Sequence, residues 1–258
     1  MSTSQPIHLE HTDSTNSWAA VNSNGKDDLL VWTDYQTAGR GCGSNSWESE
    51  PGQNLLFSML IHPGREITLP WIAGKGRWPQ VEARQQFIIS MAVSVALVQA
   101  LAKVIAQEGA DGGGLSIKWP NDIYWHDSKL AGILIEQRIA TGMVTQSIIG
   151  VGLNINQTAF VSDAPNPVSL TQITGRHHER EALLRSVVEG FPLDTATLPS
   201  RYRSLLYRRT GLHPYRDANG VFLARLLTVE DDGHLLLQST AGLQRRYAFK
   251  EVSFVLPA

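Results

Sequence analysis

The sequence predicts an α+β fold, in which a domain that mixes strands with helices is followed by a small β-barrel. Three observations support this prediction: a strand hairpin over residues 130–154, a long amphipathic helix over residues 81–107, and several short strands with tight turns at the end of the chain. We place the domain boundary near Thr210, which gives domains of residues 1–209 and 210–258.

The first elements alternate between short structured segments and loops. Residues 14–20 begin with capping residue types and predict the start of a helix. Residues 29–35 are strand-like, and residues 36–46 form a loop rich in glycine. Residues 54–62 are an apolar run that predicts a buried strand. Residues 64–79 contain three glycines and two prolines and predict an excursion on the surface.

The longest predicted helix covers residues 81–107. Its apolar side chains recur at spacings of three and four and form one stripe that faces the core. The stripe consists of Phe87, Met91, Val95, Val98, Leu101 and Ile105. We expect its apolar stretch, around residues 87–104, to be too short and too polar to span a bilayer, because two serines, a glutamine and a lysine interrupt it.

The remaining elements follow in chain order. Residues 115–119 form a short strand before a proline. Residues 130–139 and 143–154 are β-rich runs, and the short connection between them contains glycine, which is typical of an antiparallel hairpin. Residues 179–189 and 198–209 are helical by pattern. The predicted barrel strands are residues 221–229, 234–239 and 245–249.

Charge and composition exclude several classes of protein. The chain has 22 basic and 24 acidic residues, so no excess of positive charge favours general binding to nucleic acid. The polar start of the chain has neither the basic segment nor the apolar run of a signal peptide. Cys42 is the single cysteine, which excludes an internal disulfide and suits a reducing compartment. We therefore expect a cytoplasmic protein that binds neither DNA nor a membrane.

A first candidate site is the loop Gly39-Arg40-Gly41-Cys42-Gly43-Ser44. Glycine lets consecutive N–H groups point into one concavity, and arginine adds a cationic fork for phosphate or carboxylate. A flexible connection between two strands explains the same pattern. The loop matches neither the Rossmann nor the Walker spacing. Trp47, just after the loop, offers a flat ring on which a base could stack.

A second candidate site follows the strand at residues 115–119, in Lys118-Trp119-Pro120-Asn121-Asp122. The oxygens of Asn121 and Asp122 are hard ligands that suit Mg²⁺. The alternative is an ordinary turn, since Asn-Asp after proline is common in turns.

Lysine and glycine mark the two hairpin strands. Lys129 opens the first strand, where it either points into a pocket or is a solvated lysine at a strand end. Gly132 in the same strand would let a ligand approach the backbone. Gly150 and Gly152 do the same in the second strand, where a β-bulge is the alternative.

Taken together and in this order, the motifs resemble those of the biotin–protein ligase family. The resemblance covers residues 7–156, and residues 211–256 resemble the SH3-like barrel at the end of family members. The motifs are Asp13-Ser14-Thr15-Asn16, Gln36-Thr37-Ala38-Gly39-Arg40-Gly41 with Trp47, Lys118-Trp119-Pro120-Asn121-Asp122, Lys129-Leu130-Ala131-Gly132-Ile133-Leu134-Ile135-Glu136, and Ile149-Gly150-Val151-Gly152-Leu153-Asn154.

The resemblance implies a catalytic domain of the biotinyl/lipoyl-ligase type, with a mixed sheet and helices, and a reaction in two steps. Biotin and ATP, with Mg²⁺, would give biotinyl-5′-AMP and pyrophosphate. The biotinyl group would then pass to one lysine of a biotin carboxyl carrier protein domain. A lipoate or octanoate ligase or transferase on the same fold is the alternative enzyme. A non-catalytic biotin-binding module is the alternative of a different class.

The resemblance also implies roles for individual residues. By motif matching, the biotin-binding residues would be Ser14, Thr15, Asn16, Gln36, Gly39, Arg40, Gly41, Cys42, Lys129 and Gly132. The nucleotide-binding residues would be Trp47, Lys118, Asn121 and Asn154. Catalysis would depend on Lys129, Arg40 and Asp122, and Asp122 would lie nearest the Mg²⁺. Our central hypothesis is that Arg40 and Lys129 converge on one small cavity, where the acid meets the nucleotide.

Further expectations come from comparison with the family pattern. Cys42 stands where family members commonly carry Arg, Gln or Lys, so we expect the loop to hold the adenylate with fewer polar contacts. Ser14 lies so near the start of the chain that we expect no DNA-binding winged helix and no repressor activity. Exposed strand edges are compatible with either a monomer or a homodimer.

Overall fold

The computed structural model describes residues 5–43, 45–161 and 166–256, which form two sheets. The first sheet has seven strands in the order β1-β2-β3-β7-β6-β5-β4. It is mixed, because β1 pairs with β2 in parallel and every other neighbouring pair is antiparallel. Its strands are β1 (Ile7–Thr12), β2 (Leu29–Gln36), β3 (Leu55–Ile61), β4 (Leu115–Lys118), β5 (Asp122–Trp125), β6 (Ser128–Ala140) and β7 (Met143–Leu153).

Five α-helices accompany this sheet in the described part of the chain. They are α1 (Thr15–Asn22), α2 (Phe87–Gln107), α3 (Leu170–Thr174), α4 (Arg180–Glu189) and α5 (Leu198–Ser204). Helix α2 packs on one face of the sheet, where its buried side chains form the centre of the main apolar core. The predicted stripe is part of a wider buried surface, since neighbouring alanines and serines of α2 are buried as well.

The burial of α2 also corrects an expectation. By length and composition alone, residues 83–107 would be able to cross a membrane, so the argument that this segment is too short and too polar is wrong. In the fold, α2 is a core helix, because 72% of its most apolar window is buried inside the protein. A core helix passes the same composition test as a membrane span.

Helix α1 covers the opposite face of the sheet. Ala19 packs there in a small apolar cluster with Val31, Leu60 and Ile148. This cluster seats the C-terminal half of α1, while the N-terminal end of the helix lies over a stretch of sheet that carries small side chains. The start of α1 therefore lies close over the backbone of the sheet, where Gly150 leaves room for the Asn16 side chain.

The second sheet is formed entirely by the C-terminal part of the chain. Its five strands lie in the order β11-β10-β9-β8-β12, with every pair antiparallel, which is consistent with the predicted SH3-like barrel. The strands are β8 (His213–Asp217), β9 (Gly220–Val229), β10 (Leu235–Ser239), β11 (Gln244–Tyr247) and β12 (Ser253–Phe254). The domain limits near Thr210 stay a prediction.

Two predicted helices are shorter than expected, because their ends pair with strands. Helix α2 begins at Phe87 rather than Val81, since the backbone of residues 81–83 bonds to the β6–β7 hairpin. Helix α5 ends at Ser204 rather than Arg209, since residues 205–207 exchange backbone hydrogen bonds with Ile117 of β4.

The segment of residues 64–79 is not confined to the surface. Ile67, Leu69 and Trp78 are almost fully buried in the main core. Trp78 Nε1 also donates a hydrogen bond of 2.7 Å to Asp28 Oδ2. Glycines and prolines break the regular structure of the segment, but its apolar side chains fold back onto the sheet.

Candidate active site

The floor of the candidate site is a stretch of sheet without side chains. Gly132 of β6 lies opposite Gly152 of β7, and Gly150 of β7 lies opposite Ser58 of β3. Paired residues of antiparallel strands present their side chains on the same face. The glycines and the small serine therefore let α1 and the glycine loop, defined here as residues 39–43 with Trp47, approach the backbone closely.

A network of hydrogen-bonded polar side chains lies at one end of the floor. Ser58 Oγ lies 2.7 Å from Thr15 Oγ1 and 2.6 Å from Asn16 Oδ1. Gln36 Oε1 accepts a hydrogen bond of 2.8 Å from the backbone N–H of Thr15. Ser14, the N-cap residue of α1, is buried beside them. The structure thus brings together the four predicted residues and adds Ser58, which the apolar sequence of β3 conceals.

Glu136 links this network to the glycine loop. Its Oε2 atom accepts hydrogen bonds of 2.8 Å from both Asn16 Nδ2 and the Arg40 guanidinium. The Arg40 and Glu136 side chains are each about two-fifths exposed, at 44% and 41%. Glu136 is a site residue that the sequence reasoning missed, although it ends the quoted Lys129–Glu136 motif.

Lys129 lies at the other end of the floor. Its Nζ atom is 2.8 Å from Asp122 Oδ1, and Asp122 lies opposite Gly132 in the pairing of β5 with β6. Lys118 Nζ is 4.0 Å from Asp122 Oδ2. Burial lowers the pKa of Lys118, and the Asp122 carboxylate offsets part of this effect. One carboxylate therefore stands between two ammonium groups, each of them mostly buried.

The Trp47 ring covers the glycines of the floor. A Cβ atom on Gly152 would lie 2.6 Å from Trp47 Nε1, and one on Gly132 would lie 2.9 Å from Trp47 Cζ3. Lys129 Nζ lies 5.7 Å from the ring centroid. Trp47 Nε1 is buried and has no hydrogen-bond partner among the described residues. The indole thus brings an unused donor into the site.

The glycine loop is a tight hairpin. Gly41 N–H donates to Asn45 O at 2.7 Å, and Trp47 N–H donates to Gly39 O at 2.9 Å. A Cβ on Gly39 would lie 2.6 Å from Trp47 O, so the loop requires glycine there. Cys42 is half-buried with a free thiol. Ser44, part of the predicted loop, lies outside the described residues.

The two asparagines of the predicted nucleotide set are tied to the backbone. Asn121 Nδ2 donates to Ile133 O, and Asn154 Nδ2 donates to Val168 O at 3.2 Å. Asn154 N–H also bonds to Leu130 O at 3.0 Å. Both amides therefore hold the ends of the floor strands, and a role in nucleotide binding stays a prediction.

Arg40 and Lys129 each have a carboxylate partner of their own. Each is paired with a carboxylate, Glu136 for Arg40 and Asp122 for Lys129. Residues two apart on a strand share a face, so Gly132 and Glu136 both face the site, about 13 Å apart along β6. The two cations are thus tied to carboxylates at different positions of one floor, and their convergence on one small cavity stays a prediction.

Comparison with known proteins identifies the family of this chain. A model of the biotin/lipoate A/B protein ligase family matches residues 9–154, more than half of the chain. The chain belongs to the biotin/lipoate A/B protein ligase family.

Two relatives of this chain are named as ligases. The bifunctional ligase/repressor BirA of Bacillus spizizenii is 30% identical over 250 residues, which cover 88% of this chain and 67% of the relative. The biotin–[acetyl-CoA-carboxylase] ligase of Paracoccus denitrificans is 27% identical over 256 residues, which cover 92% of this chain and 95% of the relative. The chain is accordingly an enzyme of the ligase class.

The fold agrees with solved members of the family. A biotin protein ligase from Aquifex aeolicus, in complex with biotin and ATP, superposes with a TM-score of 0.71 over 97% of this chain and 98% of its own. Its sequence identity is 21%, so this likeness concerns the fold. It confirms a mixed sheet with helices followed by a small barrel.

The residues of this ligase do not fit the predicted Mg²⁺ site. Asp122 is the carboxylate expected to hold the ion, but its Oδ1 atom lies against Lys129, and Lys118 faces its other oxygen. A dication there would meet two ammonium groups at close range. Elsewhere in the described residues, Glu230, Asp232 and His234 cluster on the barrel, but Arg246 pairs with both carboxylates. The Mg²⁺ requirement stays a prediction.

Proposed function

We propose that the chain forms biotinyl-5′-AMP from biotin and ATP, and then transfers the biotinyl group to one lysine of a biotin carboxyl carrier protein domain in the cytoplasm. The observation that carries this proposal is the ammonium group of Lys129 over a glycine floor, between Asp122 and the Trp47 ring. Family membership and the names of the relatives support it.

The first step needs positive charge where two anions meet. A carboxylate oxygen of biotin attacks the α-phosphorus of ATP, and the bond from that phosphorus to the pyrophosphate oxygen breaks. Lys129 and Lys118 are the two mostly buried cations at the floor. Removing one such donor typically costs ~2.7–4 kcal/mol of transition-state stabilisation. A non-catalytic module would have no use for this pair of cations.

The polar end of the floor favours biotin over lipoate or octanoate. A ureido ring offers two N–H donors and one carbonyl acceptor, which require partners when buried. Thr15, Asn16, Gln36 and Ser58 supply hydroxyl and amide groups within one network. A fatty acyl chain has no polar group at its far end and would form no hydrogen bond with this network. The alternative acids are therefore poorer partners for this pocket.

The second step requires a neutral acceptor amine. The lysine nitrogen attacks the carbonyl carbon of the mixed anhydride, the C–O bond to the phosphate breaks, and AMP leaves. In our proposal the Asp122 carboxylate, which holds Lys129 at 2.8 Å, orients the incoming ammonium group and accepts its proton. A covering glycine loop would protect the anhydride from water.

Exchange of labelled pyrophosphate into ATP tests the first step. We expect exchange to depend on biotin and to be absent with lipoate or octanoate. Exchange that prefers lipoate or octanoate would assign the alternative enzyme, and binding of biotin without any exchange would assign the binding module. Transfer is then tested with a carrier domain and with the same domain whose acceptor lysine is replaced by arginine. Only the first should gain biotin.

A further inference from the structure

The chain that follows Trp47 is tied to the chain that follows β7. The first segment, residues 48–54, connects Trp47 to β3. The second segment, residues 155–161, continues from β7, which is the neighbour of β3 in the sheet. Asn156 N–H donates to Gln53 O at 2.9 Å. The two segments therefore run together beyond the ends of their strands.

Gln157 is the buried side chain that joins the two segments, with an exposed fraction of 1%. Its Oε1 atom accepts hydrogen bonds of 2.7 Å from Asn54 Nδ2 and 3.0 Å from the backbone N–H of Glu50. Its Nε2 atom donates to Glu48 Oε1 at 3.3 Å and to Ala159 O at 2.8 Å. The amide thus makes the four hydrogen bonds that such a side chain can make, three of them to the first segment.

The bond to Glu48 fixes the backbone directly after the Trp47 indole. Glu48 Oε1 also accepts a hydrogen bond of 3.0 Å from the Val161 N–H, so two donors of the second segment hold one carboxylate. Trp47 itself donates its backbone N–H to Gly39 O at 2.9 Å. Because the position of a ring follows from the backbone that carries it, these bonds on either side determine where the indole lies over the glycine floor.

We propose that Gln157 is a positioning residue for the nucleotide site, because it holds Glu48 and, through it, the Trp47 ring on which the adenine base stacks. This inference rests on the proposed function, which takes ATP as the substrate. The four hydrogen bonds of Gln157 go to neither the glycine floor nor Lys129. Its effect on the nucleotide therefore passes through the indole.

Steady-state kinetics of pyrophosphate exchange test this proposal with two variants of the pair. Gln157→Glu replaces the donating amide by a second carboxylate next to Glu48. Glu48→Gln combined with Gln157→Glu exchanges the two groups and restores a donor between them. Because a hydrogen bond to a charged group is lost, we expect the KM for ATP to rise about tenfold in Gln157→Glu, with an unchanged KM for biotin. The double variant should recover most of the affinity for ATP.

Two further variants control this experiment. Gln172→Glu makes the same substitution nearby, but Gln172 Nε2 donates to Thr158 O and not to Glu48, so this variant should match the wild-type protein. Glu48→Ala removes the same hydrogen bond from its other end and should also raise the KM for ATP. It takes the place of Gln157→Glu if thermal unfolding shows that Gln157→Glu does not fold.

Oxidative labelling of the Trp47 indole, quantified by mass spectrometry, tests the positioning without any catalysis. Labelling should increase in Gln157→Glu and return to the wild-type level in the double variant. If the wild-type protein shows no biotin-dependent exchange, the proposed function fails, and the labelling still decides whether Gln157 holds the indole. An unchanged KM for ATP, unchanged labelling, or equal changes in Gln172→Glu would overturn the proposal.

Discussion

The substitution Gly152→Ala adds a single methyl group and tests the geometry of the site most directly. The backbone of Gly152 in β7 is outside the left-handed region, so alanine fits the strand without backbone strain. Its Cβ atom would nevertheless lie 2.6 Å from Nε1 and 2.7 Å from Cδ2 of Trp47. Since such atoms normally approach to about 3.5–4 Å, the indole must move by roughly 1 Å.

This displacement should affect activity far more than stability. Trp47 lies on a loop and can swing outward, so we expect the free energy of unfolding to fall by about 1 kcal/mol, the lower end of the cost of overpacking. A misplacement of about 1 Å in a catalytic site can lower the rate ~10²-fold. Biotin-dependent pyrophosphate exchange and thermal unfolding of Gly152→Ala measure the two effects.

Two other alanine variants complete the experiment. A Cβ on Gly112 would meet nothing within 4 Å, so Gly112→Ala should behave like the wild-type protein. A Cβ on Gly150 would lie 2.9 Å from Asn16 Cγ, so Gly150→Ala should raise the KM for biotin, whereas Gly152→Ala should raise the KM for ATP. Exchange by Gly152→Ala within threefold of Gly112→Ala would refute the placement of Trp47 in the nucleotide site.

Four further substitutions give sharp expectations. Lys129→Ala should lower exchange by ~10²–10³-fold with an unchanged melting temperature; normal exchange would remove this lysine from the mechanism. Cys42→Arg should slow the leak of biotinyl-5′-AMP from the enzyme, and equal leak rates would contradict a loop with few polar contacts. Asp28→Asn should lower stability by about 2–3 kcal/mol in denaturant titration, because buried Asp28 accepts hydrogen bonds from Trp78 Nε1 and from two backbone N–H groups. Burial raises the pKa of Tyr215 to about 12. The free energy of unfolding should therefore fall as the pH rises above 10.0, the ordinary pKa of tyrosine, and it should fall less in Tyr215→Phe than in the wild-type protein. At pH 7 Tyr215→Phe should be at least as stable as the wild-type protein, because the buried hydroxyl has no partner among the described residues.

Local sequence signals predicted the elements that carry their own pattern. The β6–β7 hairpin has β-rich runs with a glycine turn, and the buried strand β3 has a continuous apolar run. Strand β1 (Ile7–Thr12) escaped prediction because it is a largely exposed edge strand, held by its pairing with β2. The short ends of α2 and α5 were also decided by strand pairing, which no helical pattern reveals.

The residues of the candidate site were likewise predicted where local motifs carry them and missed where they depend on tertiary neighbours. Glycines and charged residues in compact motifs identified the floor, Lys129 and Asp122. Ser58 and Glu136 escaped prediction because their roles arise only from tertiary neighbours: Ser58 lies inside an apolar strand, and the partners of Glu136, Asn16 and Arg40, lie far from it in the sequence. Roles that depend on tertiary neighbours cannot be derived from spacing along the chain.

The Glu136 carboxylate, shared between Asn16 and Arg40, competes with an acidic ligand for the Arg40 side chain of the glycine loop. An acid that binds the Nη2 group of Arg40 competes with Glu136, whose Oε2 atom also accepts a hydrogen bond from Asn16. A small anion such as inorganic phosphate replaces only the hydrogen bond between Glu136 and Arg40, whereas a molecule that also bonds to Asn16 replaces both hydrogen bonds of Glu136. The resting ion pair therefore predicts a preference for a bulky acid with polar groups at its far end.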